Sequence, residues 1–128
     1  MARVTGLGGI FFKTRNPKAI HEWYEKHLGI RKDADGSVVF KWRHLEEPEH
    51  VGYTVWGPFS HDTKYFGPGP SPYMINFRVD DLDGLLKKLR NAGVQVEKEI
   101  EESEYGRFGW ITDPDGNRVE LWEPPEGS

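Results

Sequence analysis

Thr54-Val55-Trp56-Gly57-Pro58 and Glu120-Leu121-Trp122-Glu123-Pro124 echo each other 66 residues apart in a chain of 128. A second echo starts the two halves: Ile10-Phe11-Phe12-Lys13 against Ile75-Asn76-Phe77-Arg78. One small module is therefore written twice, and such self-similarity constrains a fold more than local propensity does. Equivalent strands of two such modules can face a shared cleft. The echo itself predicts that Trp56 and Trp122 stand on opposite walls of that cleft.

Working outward, the first half reads strand, then helix, then further strands. Leu7–Thr14 is a strand with Ile10 and Phe12 on one face and Gly9, Phe11 and Lys13 on the other. Asn16-Pro17 opens a helix as N-cap and first helical residue, and Gly29 closes it. Ile20, Trp23, Tyr24 and Leu28 form its expected buried stripe. Val38–Trp42 and Gly52–Trp56 read as strands. Gly57–Pro72 is so rich in Gly and Pro that neither a helix nor an inner strand is expected there. The second half runs Tyr73–Val79 as strand, about Leu82–Ala92 as helix, then Val94–Glu101, Gly106–Thr112 and Arg118–Glu123 as strands. Asp113-Pro114-Asp115-Gly116-Asn117 is a turn signal. The pattern is β-α-β-β-β twice. It predicts an α+β fold: curved mixed sheets around a cleft, with helices on the outer faces. Residues 1–128 form one domain, with a first module at about 5–57, a connection at 58–72 and a second module at about 73–124.

Composition narrows the function classes. There are 17 basic and 21 acidic residues, a formal charge of −4, with no basic cluster of the kind a nucleic-acid binder shows. No apolar run approaches the roughly 18–20 residues of a spanning helix. The absence of cysteine excludes disulfide scaffolds, thiol catalysis and cysteine metal sites. With no signal-peptide h-region at Met1–Gly6, these features predict a cytoplasmic protein with neither a nucleic-acid nor a membrane partner. Five Trp, five Tyr and seven Phe supply either a ring-rich core or an aromatic-lined pocket.

Several stretches match one family: Asn16-Pro17 before Trp23-Tyr24 and Leu28-Gly29-Ile30, then Phe77-Arg78-Val79-Asp80-Asp81-Leu82, Ala92-Gly93-Val94, and Asp113 through Leu121. Through them the chain resembles the vicinal oxygen chelate superfamily, also called the glyoxalase/bleomycin-resistance/dioxygenase superfamily. Metal-dependent members hold a divalent cation with His or Glu from four strands, two in each module. Carried over, those four positions are Gly9, Thr54, Met74 and Glu120. Only Glu120 is a proper ligand, because a thioether is too soft and a lone hydroxyl too weak for such metals. The resemblance thus implies no metal and no other cofactor.

The histidines do not repair the set. His21 and His27 belong to the first helix, and His21-Glu22-Trp23-Tyr24-Glu25 lacks the second His of a zinc motif. His44, His50 and His61 fall in loops that can reach a cleft rim. Glu120 has two readings: a lone carboxylate in an aromatic cavity, acting as base or cation partner, or a structural partner of Arg78 or Arg118. The resemblance leads to a small-molecule binder similar to the bleomycin-resistance branch, whose ligand is organic and aromatic. Phe11, Trp56 and Trp122 would stack on it, with Thr54, Met74, Asn76, Arg78 and Glu120 completing the site. Two enzyme readings stand beside it: a divalent-metal-dependent lyase, isomerase or dioxygenase of the glyoxalase type, or a metal-free enzyme with Glu120 as catalytic base. Related proteins often pair, so a homodimer is expected.

Overall fold

The computed structural model describes residues 2–126. In chain order the elements are β1 (Val4–Thr14), α1 (Pro17–Leu28), β2 (Val38–Arg43), β3 (Val51–Ser60), β4 (Tyr73–Val79), α2 (Leu82–Asn91), β5 (Gln95–Val96), β6 (Glu101–Ser103), β7 (Gly106–Thr112) and β8 (Arg118–Glu123). The strands form one curved, unclosed mixed sheet in the order β2-β3-β1-β4-β8-β7-β5, with β6 paired to β7. The α+β architecture expected from the repeat is present. Two departures from the repeat occur: residues 29–37 form no strand, so the first half is β-α-β-β, and in place of the one strand expected at Val94–Glu101 stand two short ones, β5 and β6.

The two halves meet where β1 and β4 pair antiparallel, with Ile10 opposite Ile75. That pair is the pivot of the duplication. Ile10 pairs with Trp56 on one side, and Ile75 pairs with Val119 on the other. The structural twin of Trp56 is therefore Val119, the twin of Gly57 is Glu120, and the twin of Phe59 is Trp122. Equivalent residues of these strands lie 63 positions apart, not the 66 of the Trp-x-Pro echo. The difference is odd, and an odd slip moves a side chain to the other face of a sheet.

The connection also begins later than its composition suggests. Gly57 through Ser60 continue β3 and pair with Phe11 through Thr14. Pro58 is tolerated because β2 starts at Val38, opposite Trp56, so β3 has an open edge beyond that point.

Both helices start and stop as their caps dictate. The Asn16 side chain accepts from the Ala19 N–H at 3.0 Å, and Gly29 closes α1 in the left-handed region at φ 70°. Asp81 accepts from Gly84 N–H at 3.0 Å, and Glu123 at the end of β8 accepts from Leu82 N–H at 2.7 Å. Their packing differs. Leu82, Leu85 and Leu86 of α2 join Val79 and Leu121 in a buried cluster. On α1 no residue is buried; Trp23 is 52% exposed and Leu28 61%. Of the expected stripe only Ile20 and Tyr24 are half-buried.

Candidate functional site

On the concave face of the sheet lies a cleft of about 590 Å³. Its floor is set by strand parity. β4 presents Met74, Asn76 and Arg78 to this side, while Val79 and Phe77 pack toward α2. On β8, Glu120 and Trp122 face the cleft. On β7, Trp110 stands directly opposite Glu120, and Phe108 opposite Trp122. The Phe108 and Trp122 rings stack within 2° of parallel, 6.0 Å apart.

Glu120 is 1% exposed, and three donors hold its carboxylate. The Tyr65 hydroxyl and Trp110 Nε1–H (2.9 Å) donate to Oε2, and Asn76 Nδ2–H donates to Oε1 at 2.6 Å. Burial raises the pKa of Glu120 above the ordinary carboxylate value, while the three hydrogen bonds oppose that shift. The Tyr65 phenol is raised well above its usual range, first by burial and then by the adjacent Glu120. Neither arginine on this face bonds the carboxylate. Arg118 makes two 2.8 Å contacts to Glu97 and donates to the Tyr65 carbonyl, fixing the segment that brings Tyr65 in. Arg78 is buried with its guanidinium 5.1 Å from the Trp122 ring, 5.4 Å from Trp42 and 5.6 Å from Tyr53. Desolvation lowers its pKa.

The Asn76 amide is oriented by Glu120, since a carboxylate can only accept here. That leaves Asn76 Oδ1 facing away, a buried acceptor with no hydrogen bond from the described residues. It lies beside Gly8, where a Cβ would come within 2.1 Å of it and 3.0 Å of Trp122. Gly8 is what lets the β1 backbone pass so close to both side chains.

Of the residues singled out in the sequence, Phe11, Asn76, Glu120 and Trp122 lie on the cleft wall. Met74 is fully buried beneath it with Phe66 and Trp110. Arg78 is enclosed by its three rings rather than open to the cleft. Thr54 and Trp56 lie on the opposite face, which corrects their expected place. The Trp56 ring meets Tyr24 of α1 at 4.8 Å, Phe12 at 5.2 Å and His21 at 5.8 Å. Thr54 Oγ1 donates to the Leu7 carbonyl and accepts from Trp42 Nε1–H. The cleft wall of β3 is instead Tyr53, Val55 and Phe59.

Sequence reasoning missed Tyr65, Phe108 and Trp110. The last two were legible: the Asp113–Asn117 turn fixes the β7–β8 register and puts them opposite Trp122 and Glu120. That turn is closed by Asp113 Oδ1, which accepts from Asp115 and Asn117 N–H. None of the five histidines lines the cleft.

The fit to a divalent cation is poor. In the corrected register the four equivalent positions are Gly9, Gly57, Met74 and Glu120, and only the last carries a hard donor. The three groups bonded to Glu120 turn N–H and O–H protons toward its carboxylate. Among the described residues no three His, Cys, Asp or Glu side chains converge as metal ligands would.

The profile of the Glyoxalase/Bleomycin resistance protein/Dioxygenase superfamily matches residues 6–121. The chain belongs to this superfamily. Solved structures of the same shape include methylmalonyl-CoA epimerase from Mycobacterium tuberculosis, 23% identical, with a TM-score of 0.60 over 94% of this chain and 89% of that one. A methylmalonyl-CoA epimerase in complex with methylmalonyl-CoA and NH4+ is 18% identical, with a TM-score of 0.68 over 98% and 99%. The 2,2',3-trihydroxybiphenyl 1,2-dioxygenase of Sphingomonas wittichii strain RW1 is 18% identical, with a TM-score of 0.58 over 98% of this chain and 43% of that one. At such identities the likeness is one of fold. No curated protein matches the sequence. Among the described residues no helix is long and apolar enough to cross a membrane.

Proposed function

We propose that this superfamily member binds a small planar molecule in the concave cleft and does so without a divalent metal. The observation that carries this reading is the shell around Glu120. All three of its hydrogen-bond partners are donors: Tyr65, Trp110 and Asn76 each turn a proton toward the carboxylate. Such a shell stabilises a buried carboxylate by dipoles, the role a cation plays in a metal site. The wall is otherwise aromatic: Phe11, Tyr53, Phe108 and Trp122 offer flat surfaces suited to stacking.

A metal-free enzyme with Glu120 as base is the second reading. The raised pKa of Glu120 favours it. The clamp by three donors counts against it, since an attacking carboxylate must keep a lone pair free. Oε2 already accepts two bonds, and only Oε1 has room for another.

Tryptophan fluorescence tests the proposal. Aromatic metabolites that bind should quench emission equally with and without a chelator. W56F, on the far face, should keep that response, and W122F should lose most of it. Binding abolished by the chelator, or a response that follows Trp56, would overturn the reading. Turnover of a bound compound, lost in E120Q while its binding persists, would favour the enzyme.

A further inference from the structure

We infer that the ligand of this cleft is a flat, N–H-donating cation, of the class of an aryl amidine, guanidine or protonated amino-heterocycle. The inference rests on the proposed binding function and names its ligand class. It also departs from the acyl-CoA anion bound by the epimerase of similar fold.

Two buried acceptors on the floor argue for it. Asn76 is almost fully buried and its Oδ1 accepts no hydrogen bond from the described residues. A buried acceptor left unmade is costly, and a ligand donor that reaches it removes that cost. Glu120 Oε1, bonded to the same Asn76, has one further accepting position. A ligand meeting both atoms must bring donors. An anion would bring lone pairs to two acceptors.

The charge at the mouth points the same way. Asp33, Asp35 and Lys41 are the charged side chains at the rim, and Glu120 lies below them. Two rim carboxylates against one ammonium give the mouth a net negative charge. Arg78 does not line this mouth; its guanidinium stands among Trp42, Tyr53 and Trp122. Those of the remaining walls that are aromatic present π-faces that attract a cation and are indifferent to its exact outline. A neutral ring would gain the stacking alone. A cation gains stacking, the two floor acceptors and the rim field.

A matched series tests this: 2-naphthamidine, 2-naphthamide and 2-naphthoate share one ring system and differ in charge and donors. Methylmalonyl-CoA is the fourth probe. Titration calorimetry and amide-proton shifts on the whole chain should show the amidine binding at least about tenfold more tightly than the amide, with naphthoate and the CoA ester weaker still. E120Q should remove most of that preference. Because a buried change can disturb folding, the rim variant D33N/D35N serves as a second probe. It should weaken only the amidine, by about two- to fivefold at low salt, with the effect shrinking as salt rises. If naphthoate or methylmalonyl-CoA binds as tightly as the amidine, the cationic class is wrong and the binding reading stands. If no probe shifts any cleft resonance, both fall.

Discussion

The two halves share one plan and differ in what they enclose. In the second, α2 buries three leucines against Val79 and Leu121, and Glu123 caps its first turn. In the first, α1 buries no residue fully, and its Tyr24 ring meets Trp56 at 4.8 Å. The same contrast runs through the cleft. The second half supplies Asn76, Trp110, Glu120 and Trp122, which form the floor. The first supplies walls and the two glycines, Gly8 and Gly9, that make room. Duplication has preserved the sheet while the polar chemistry is concentrated in one copy.

The largest expected break of this comparison is in the core. L86A removes a fully buried side chain and should cost about 2–5 kcal/mol in urea unfolding. W23A, on half-exposed α1, should cost less than about 1 kcal/mol. Equal losses would show that α1 carries more of the fold than its exposure indicates.

Next in size is the close approach at Gly8. G8A places a Cβ 2.1 Å from Asn76 Oδ1, so the amide must move and its bond to Glu120 lengthen. A loss of about 1–3 kcal/mol is expected. G69A has nothing within 4 Å of the added Cβ and is the control. Indifference at Gly8 would mean that the Asn76–Glu120 pair is not rigid.

A smaller effect sharpens the electrostatic side. Glu120 has its folded pKa raised, so above the ordinary value of 4.5 the folded chain holds a proton that the unfolded chain releases. Stability from this group is therefore present at low pH and declines as pH rises toward the raised folded value. Carboxylates such as Glu97, lowered by its hydrogen bonds to Arg118, slope the other way. The difference between wild type and E120Q isolates Glu120: relative to the variant, wild type should lose stability as pH rises above the ordinary carboxylate value toward the raised folded one. A difference independent of pH would contradict the burial account.

Much of this was legible in the sequence, and the failures have physical causes. Strand alternation gave the cleft side of β4 and β8 correctly, because those strands have one face under a leucine-rich helix. Trp56 misled because an echo of residue identity is not an echo of register. The Ile10–Ile75 pair defines equivalence, and from it the strands run three residues out of step with Trp-Gly-Pro. Tyr65 was hidden because it lies in a Gly/Pro-rich segment with no periodicity. Only the Arg118 bond to its carbonyl and the hydroxyl on Glu120 reveal why it sits there. The weak burial of α1 was also invisible, since Trp23 and Leu28 have the spacing of a buried stripe whether or not enough sheet lies beneath them.

The central claim is that donors, not a cation, hold Glu120. Titration calorimetry of chelator-treated wild type and of E120Q with Mn2+, Co2+ and Zn2+ tests it most directly. The account predicts no binding at one ion per chain that depends on Glu120. A stoichiometric ion bound by wild type and lost in E120Q would contradict it.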